Sequence, residues 1–357
     1  MRTDSLDYNL PEKLIAQAPA VPRDSSRLLL CPRSEGAFLV HVFRNLPDLL
    51  RPGDLLVTNA ARVMPARLLG YKHPSGARIE ILLLERLPNL HPSGARFKAL
   101  LKRKRRLEVG NRVLLPESRM YAEVTESEEA GCEHFPSPEA PGTSVVELAG
   151  VDDIEDEIDR IGRIPLPPYI KRYSGDLGLY QTVFARVPGS VAAPTAGLHF
   201  TPDLLKRLEN REIDRVEVHL RVGWGTFSPI RSELLEDHEL HAENGELPEE
   251  TADRINARRK AGGRIVAVGT TVTRLLETAS DPDGLVRPFK GKTDLYITPG
   301  YEFKAVDVLL TNFHLPRTSL LALVAAFMGV ERTLAAYDLA IRQRFRFYSF
   351  GDAMLIL

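Results

Sequence analysis

Cysteine, tryptophan and long apolar runs are what this 357-residue chain has least of. Two cysteines, Cys31 and Cys132, cannot make a disulfide framework or a Cys-rich zinc site, and they suit a reducing compartment, so a cytoplasmic protein is expected. The longest apolar run, Leu320 to Val330, falls well short of the ~20 residues that a membrane span needs. The opening residues carry Asp4, Asp7 and Glu12 without an apolar core, so neither a secretory leader nor a membrane partner is expected. Glycine-rich phosphate loops are missing as well. The turn Gly269-Thr270-Thr271 has one glycine and no lysine, which makes it neither a dinucleotide fingerprint nor a P-loop and removes most support for dehydrogenases and NTPases.

What is present is the composition of an ordinary globular protein, 43% apolar and long enough to bury a core without staples. The net charge of −1 hides an asymmetry. Pro116 to Arg160 holds fourteen acids against two bases, which leaves +11 on the remainder. The acidic stretch reads as a solvated loop region, and a basic remainder is suited to facing a polyanion. Arginine outnumbers lysine 36 to 11, a weak sign in the same direction.

Three regimes follow along the chain. Residues 1–66 open with Pro11 at the start of a predicted helix running to Gln17, and Pro52-Gly53-Asp54 launches a strand, Leu55 to Thr58. Residues 67–150 show short apolar runs (Arg78 to Leu84, Phe97 to Leu101, Arg112 to Leu115) parted by turn residues, the pattern of an antiparallel barrel or sandwich. From 151 to 357 strands alternate with helices: Arg264 to Thr271 feeds a helix over Val272 to Ala279, and Asp307 to Asn312 feeds one over Ser319 to Met328. The expected fold is an α/β domain (1–66 and 151–357) with a mixed sheet covered on both faces, carrying an inserted all-β barrel-like domain (67–150). Ligands in such sheets collect beyond the carboxyl ends of the strands.

That rule selects four clusters. Ser190 to Phe200 is a run of small residues containing Thr195 and ending near His199, with Thr201 as the N-cap of the next helix. Val216 to Phe227 alternates, with Glu217, His219 and Arg221 on the polar face and two glycines around Trp224. Asp237-His238-Glu239-Leu240-His241-Ala242-Glu243 is dense in groups for acid/base work or for holding ribose hydroxyls, but lacks the spacing of a zinc helix. Gly269-Thr270-Thr271 and Asn312-Phe313-His314 form the fourth, where a helix N-terminus can hold a carboxylate or phosphate. Lys102-Arg103-Lys104-Arg105-Arg106 is the strongest basic run, either a solvated tip protecting an edge strand or a grip on RNA phosphates.

Taken in order, these clusters resemble the S-adenosylmethionine:tRNA ribosyltransferase-isomerase (QueA) family of queuosine biosynthesis. The likeness runs nearly full length, through Tyr8-x-Leu10-Pro11, Arg23-Asp24-x-x-Arg27-Leu28, Pro167 to Ile170, Tyr180 to Val183, Gly189 to Phe200, Asp237 to Glu243, Ala267 to Thr271, Thr311 to Pro316 and Tyr348-x-x-Gly351-Asp352-Ala353-Met354. The resemblance implies transfer of the ribosyl moiety of S-adenosylmethionine to 7-aminomethyl-7-deazaguanine at the tRNA wobble position, giving epoxyqueuosine-tRNA, adenine and methionine. It implies no metal or other cofactor. A monomer is expected, with tRNA and S-adenosylmethionine as its partners.

Under that resemblance the sulfonium acidifies the ribose C5′–H, and a neutral histidine can remove the proton as adenine leaves. His199, His238, His241 and His314 are the candidates, with Glu243 also in the catalytic set. Asp237 and Glu243 would orient the ribose or an imidazolium, Thr270, Thr271 and Arg274 would hold the methionine carboxylate, and Thr195, Gly269 and Asn312 would complete the binding site. Two positions depart from the family pattern: Arg221 stands where a histidine is usual, and Ala61 where a threonine is usual. The rival readings are an S-adenosylmethionine-dependent RNA methyltransferase, for which no glycine-rich first loop is found, and a non-catalytic RNA-binding module.

Overall fold

The computed structural model describes residues 1–89, 91, 94–103, 107–127, 143–223 and 229–357. In chain order the strands are β1 (Arg27–Cys31), β2 (Leu39–Val42), β3 (Leu55–Asn59), β4 (Ala61–Val63), β5 (Arg67–Lys72), β6 (Arg78–Leu87), β7 (Ala95–Arg103), β8 (Arg112–Leu114) and β9 (Tyr121–Ser127). They continue with β10 (Ser144–Ala149), β11 (Val187–Ser190), β12 (Asp214–Leu220), β13 (Glu243–Leu247), β14 (Ile265–Val268), β15 (Phe289–Thr293), β16 (Val308–Asn312) and β17 (Ala353–Ile356). The helices are α1 (Leu46–Leu49), α2 (Ile154–Ile161), α3 (Pro202–Glu209), α4 (Glu249–Lys260), α5 (Thr270–Thr278), α6 (Ser319–Met328) and α7 (Val330–Arg342).

Nine strands form one mixed sheet in the order β15-β13-β12-β3-β14-β16-β17-β1-β2. Its centre, β12, β3, β14 and β16, runs parallel. Side chains on successive residues of these strands go to opposite faces, and both faces are apolar. Leu55, Val57, Ile265, Ala267 and Leu309 pack with Leu275 of α5 and Leu321 of α6, while Leu56, Val266, Val268 and Leu310 pack with Phe43, Phe200 and Leu204 of α3. The helices therefore cover both faces.

β5 to β10 close into an antiparallel barrel in the order β10-β7-β6-β5-β8-β9, with a core of its own that includes Ile81, Phe97, Val113 and Val146. α2 lies past residue 150, yet its Ile154 and Ile158 belong to that barrel core. The chain leaves the sheet through β4, which pairs in parallel with β11 on the return path.

Three sequence expectations are corrected. Pro11 does not begin a helix to Gln17: only a 3-10 turn, Glu12–Leu14, forms, and Ile15 is already extended at φ −72°, ψ 113°. The Gln17 side chain reaches instead to the Tyr169 carbonyl and the Lys171 N–H, at 2.9 and 2.8 Å, tying this segment to a distant loop. The acidic stretch is not simply a loop among the described residues, because it supplies β9, β10 and α2. Its acids start α2, where Asp153 caps the Asp156 N–H at 3.0 Å and Glu155, Asp156 and Glu157 fill the positive first turn. The helix expected from Val272 begins two residues earlier, at Thr270, directly after Gly269. Gly269 has φ +95°, a backbone state that side chains resist, and this lets the strand turn at once into α5.

Candidate active site

The carboxyl ends of β14 and β16 open onto a cavity of about 570 Å³, part of it continuous with solvent. Its wall includes Thr195 and Ala196, Gly269 to Thr271, Thr311 to Leu315, Thr318 and Tyr348. Among the described residues no charged side chain lines it; its polarity comes from hydroxyls, the Asn312 amide, His314 and the first-turn N–H groups of α5. Of the residues expected from the sequence, Thr195, Gly269, Thr270, Thr271, Asn312 and His314 are brought together here.

His199 lies behind this wall. Its Nδ1 is 2.8 Å from Ser26 Oγ, and its Nε2 is 3.1 Å from Asn312 Nδ2. Asn312 also contacts the Tyr348 carbonyl (3.3 Å) and the Thr195 hydroxyl (2.9 Å). Burial drives the His199 ring down to about 4 and the His314 ring down to about 3. Both rings are therefore neutral at physiological pH. His314 Nε2 is 2.9 Å from Thr311 Oγ1, the His314 N–H donates to the Tyr337 hydroxyl at 3.0 Å, and its carbonyl accepts from the Tyr8 hydroxyl.

The Asp237 to Glu243 cluster is split. Asp237 and His241 are exposed, and half-buried His238 packs edge-on against Tyr296. None of the three lines the cavity. Glu243 points inward to Arg274, whose Nε and Nη2 are also committed to the carbonyls of Leu295 and Thr293 at 3.0 and 3.3 Å. Arg274 is thus turned away from the cavity and held by its own fold. Of the three residues expected to hold the methionine carboxylate, Thr270 and Thr271 line the cavity and Arg274 does not. Arg221 is exposed and lies against Gly189, where an added Cβ would come within 3.1 Å of its Nε. Lys102 and Arg103 end β7, with Lys102 opposite Glu80, while Lys104, Arg105, Arg106, Cys132 and Trp224 lie outside the described residues. Among the described residues no group of three or more His, Cys, Asp or Glu could hold a metal ion, and no single helix is long and apolar enough to cross a membrane.

Sequence reasoning missed Tyr348. It lines the cavity at 5% exposure, has φ +72°, and its buried hydroxyl has no hydrogen-bond partner among the described residues. Such a backbone state persists in a bulky residue only when its neighbours fix it. The Tyr348 N–H donates to the Phe313 carbonyl (3.0 Å), and its own carbonyl accepts from Gly351 (2.8 Å) as well as Asn312. Asp352 anchors the same turn by accepting from the Arg27 and Arg346 N–H groups at 3.0 and 2.7 Å and pairing with the Arg27 guanidinium at 3.1 Å. Gly351 has no room for a side chain, since a Cβ would meet the Arg346 carbonyl at 2.5 Å. Asn59 was also missed: its amide bonds both the N–H and the carbonyl of Leu220, at 3.1 and 2.9 Å, and aligns the ends of β3 and β12.

Several of the residues that carried the resemblance thus hold the cavity from behind. The family model described as queuosine biosynthesis protein matches residues 3–356. The chain is 48% identical over its whole length to the S-adenosylmethionine:tRNA ribosyltransferase-isomerase of Moorella thermoacetica and 47% identical to that of Symbiobacterium thermophilum, with each relative also fully covered. The crystal structure of S-adenosylmethionine tRNA ribosyltransferase from Thermotoga maritima matches with a TM-score of 0.55 at 36% identity, over 99% of this chain and 100% of that one. The chain belongs to the queuosine biosynthesis family of S-adenosylmethionine:tRNA ribosyltransferase-isomerases.

Proposed function

We propose that this protein transfers and isomerises the ribosyl moiety of S-adenosylmethionine onto 7-aminomethyl-7-deazaguanine at the wobble position of tRNA, releasing adenine and methionine. The observation that carries this reading is the neutral, hydroxyl-lined cavity at the strand ends, in a chain that the family model matches over residues 3–356. A sulfonium and its ribose need no charged partner there, and the first-turn N–H groups of Thr270 and Thr271 suit the methionine carboxylate. His314 is the imidazole in the lining. Burial keeps it unprotonated but also makes it a weak base, so its assignment to the C5′ proton that the adjacent sulfonium acidifies rests on its position in the lining. Loss of that proton lets the ribose ring open and adenine leave.

The basic run Lys102 to Arg106 is the proposed phosphate grip on the anticodon stem-loop, from which an unstacked wobble base can reach the cavity. The chemistry asks for no metal or cofactor, so a chelator should leave turnover unchanged. The protein would act as a monomer, in the cytoplasm with its tRNA. Incubating it with S-adenosylmethionine and tRNA carrying the deazaguanine tests the reading. Free adenine supports it, S-adenosylhomocysteine would replace it with a methyltransferase, and tRNA binding without turnover would leave a binding module.

A further inference from the structure

The Asn312 amide is fixed by a group that can only accept. Its Nδ2 faces the Tyr348 carbonyl oxygen at 3.3 Å, and reversing the amide would bring Oδ1 against that oxygen. With Nδ2 so placed, its other hydrogen points to His199 Nε2 at 3.1 Å, which must be the unprotonated nitrogen of the ring. The ring proton then sits on Nδ1 and is donated to Ser26 Oγ at 2.8 Å. On the other side, Asn312 Oδ1 can only accept. At 2.9 Å it takes the single proton of the Thr195 hydroxyl. Asn312 is 2% exposed and His199 4%, so water does not compete for these bonds.

The sequence of bonds leaves Thr195 with lone pairs and no proton to offer the cavity it lines. We propose that Thr195 is a fixed hydrogen-bond acceptor that selects a substrate N–H or O–H, with Asn312 and His199 as positioning residues that set its polarity from behind. The proposal rests on the reading of this cavity as the S-adenosylmethionine site, since that molecule offers donors in its adenine amino group, ribose hydroxyls and ammonium. A ligand group that only accepts would face oxygen lone pairs at Thr195. This is the kind of mismatch by which polar sites discriminate most strongly.

Calorimetric binding of S-adenosylmethionine to wild type, Thr195→Ser, Thr195→Val and Asn312→Asp tests the consequence. Thr195→Val keeps the shape and loses the acceptor, so affinity should fall roughly 5- to 10-fold, the scale of one neutral hydrogen bond, while Thr195→Ser stays within about twofold of wild type. Nitrogen-15 NMR of histidine-labelled protein tests the cause. At pH 7 His199 should carry its proton on Nδ1 alone, and in Asn312→Asp the new carboxylate should draw a proton onto Nε2. Binding by Thr195→Val as tight as by wild type, or a protonated Nε2 in the wild-type ring, would overturn the proposal. Wild type that binds no S-adenosylmethionine would instead overturn the proposed function, and the NMR measurement would still decide the proton positions.

Discussion

Glu243 and Arg274 form an ion pair closed to solvent on both sides, each side chain 5% exposed, and the second oxygen of the carboxylate accepts the Gly223 N–H at 2.8 Å. The pair therefore joins β13 to α5 and also fixes the point where the chain leaves β12.

Truncating one partner should cost stability before it costs chemistry. Glu243→Ala leaves a buried guanidinium facing no carboxylate, a change worth about 3–5 kcal/mol. Denaturant unfolding should show that loss, and the paired replacement Glu243→Met with Arg274→Met should recover much of it. A Glu243→Ala protein with wild-type stability and turnover reduced roughly 10²-fold would return Glu243 to the catalytic group.

Stability should fall on mild acidification because of two rings. Burial holds His199 near 4 and His314 near 3, against 6.5 for the free side chain. Below 6.5 the unfolded chain gains protons that the native chain refuses. Native stability is then lost as the pH falls from about 6.5 towards 4, by on the order of 3 kcal/mol per ring. Urea midpoints measured between pH 7 and pH 4.5 should shift less in His314→Gln than in wild type. Parallel curves would mean that His314 is not held neutral.

Rate measurements on single histidine variants should separate the two histidine clusters. His314 lines the cavity, whereas His241 is exposed and away from it. His314→Ala should lower kcat by roughly 10²-fold or more, and His241→Ala should cost less. The reverse order would place the proton transfer in the Asp237 to Glu243 segment.

Binding of tRNA across a salt series should reveal the role of the basic run. Phosphate contacts release counterions, so Lys102/Lys104/Arg105→Ala should weaken binding and flatten its salt dependence while S-adenosylmethionine affinity is unchanged. Superimposable lines would reduce the run to a solvated tip and move the RNA surface elsewhere on the basic remainder.

Much of the architecture was legible because it rests on periodicity. β14 is a run of four buried residues before Gly269 and β16 a run of five ending at Asn312, and the barrel strands sit between unmistakable turns. The site was legible where a motif residue lies at a strand end, as with Thr271 and His314. It was illegible where the decisive neighbour is remote in the chain. Glu243 and Arg274 are 31 residues apart, and nothing in either segment announces a buried pair. His199 stands in a promising run, yet Asn312, 113 residues away, separates it from the cavity. The Pro11 segment misled because Pro also suits an extended chain, and its polar groups were already committed to residues beyond 160.

The two chain crossings to the barrel are clasped. Val63 in β4 is held on its second edge by the Gln181 amide, which accepts the Val63 N–H at 3.0 Å and donates to its carbonyl at 2.7 Å as a neighbouring strand would. Arg67 and Arg163 exchange both backbone hydrogen bonds, at 3.0 and 2.9 Å, and Gly162 sits so close to the Pro65 carbonyl that no side chain fits. The barrel is thus mounted on a bracket of paired backbone at both crossings. If RNA is held as proposed above, these paired crossings would set the bearing at which it meets the sheet domain.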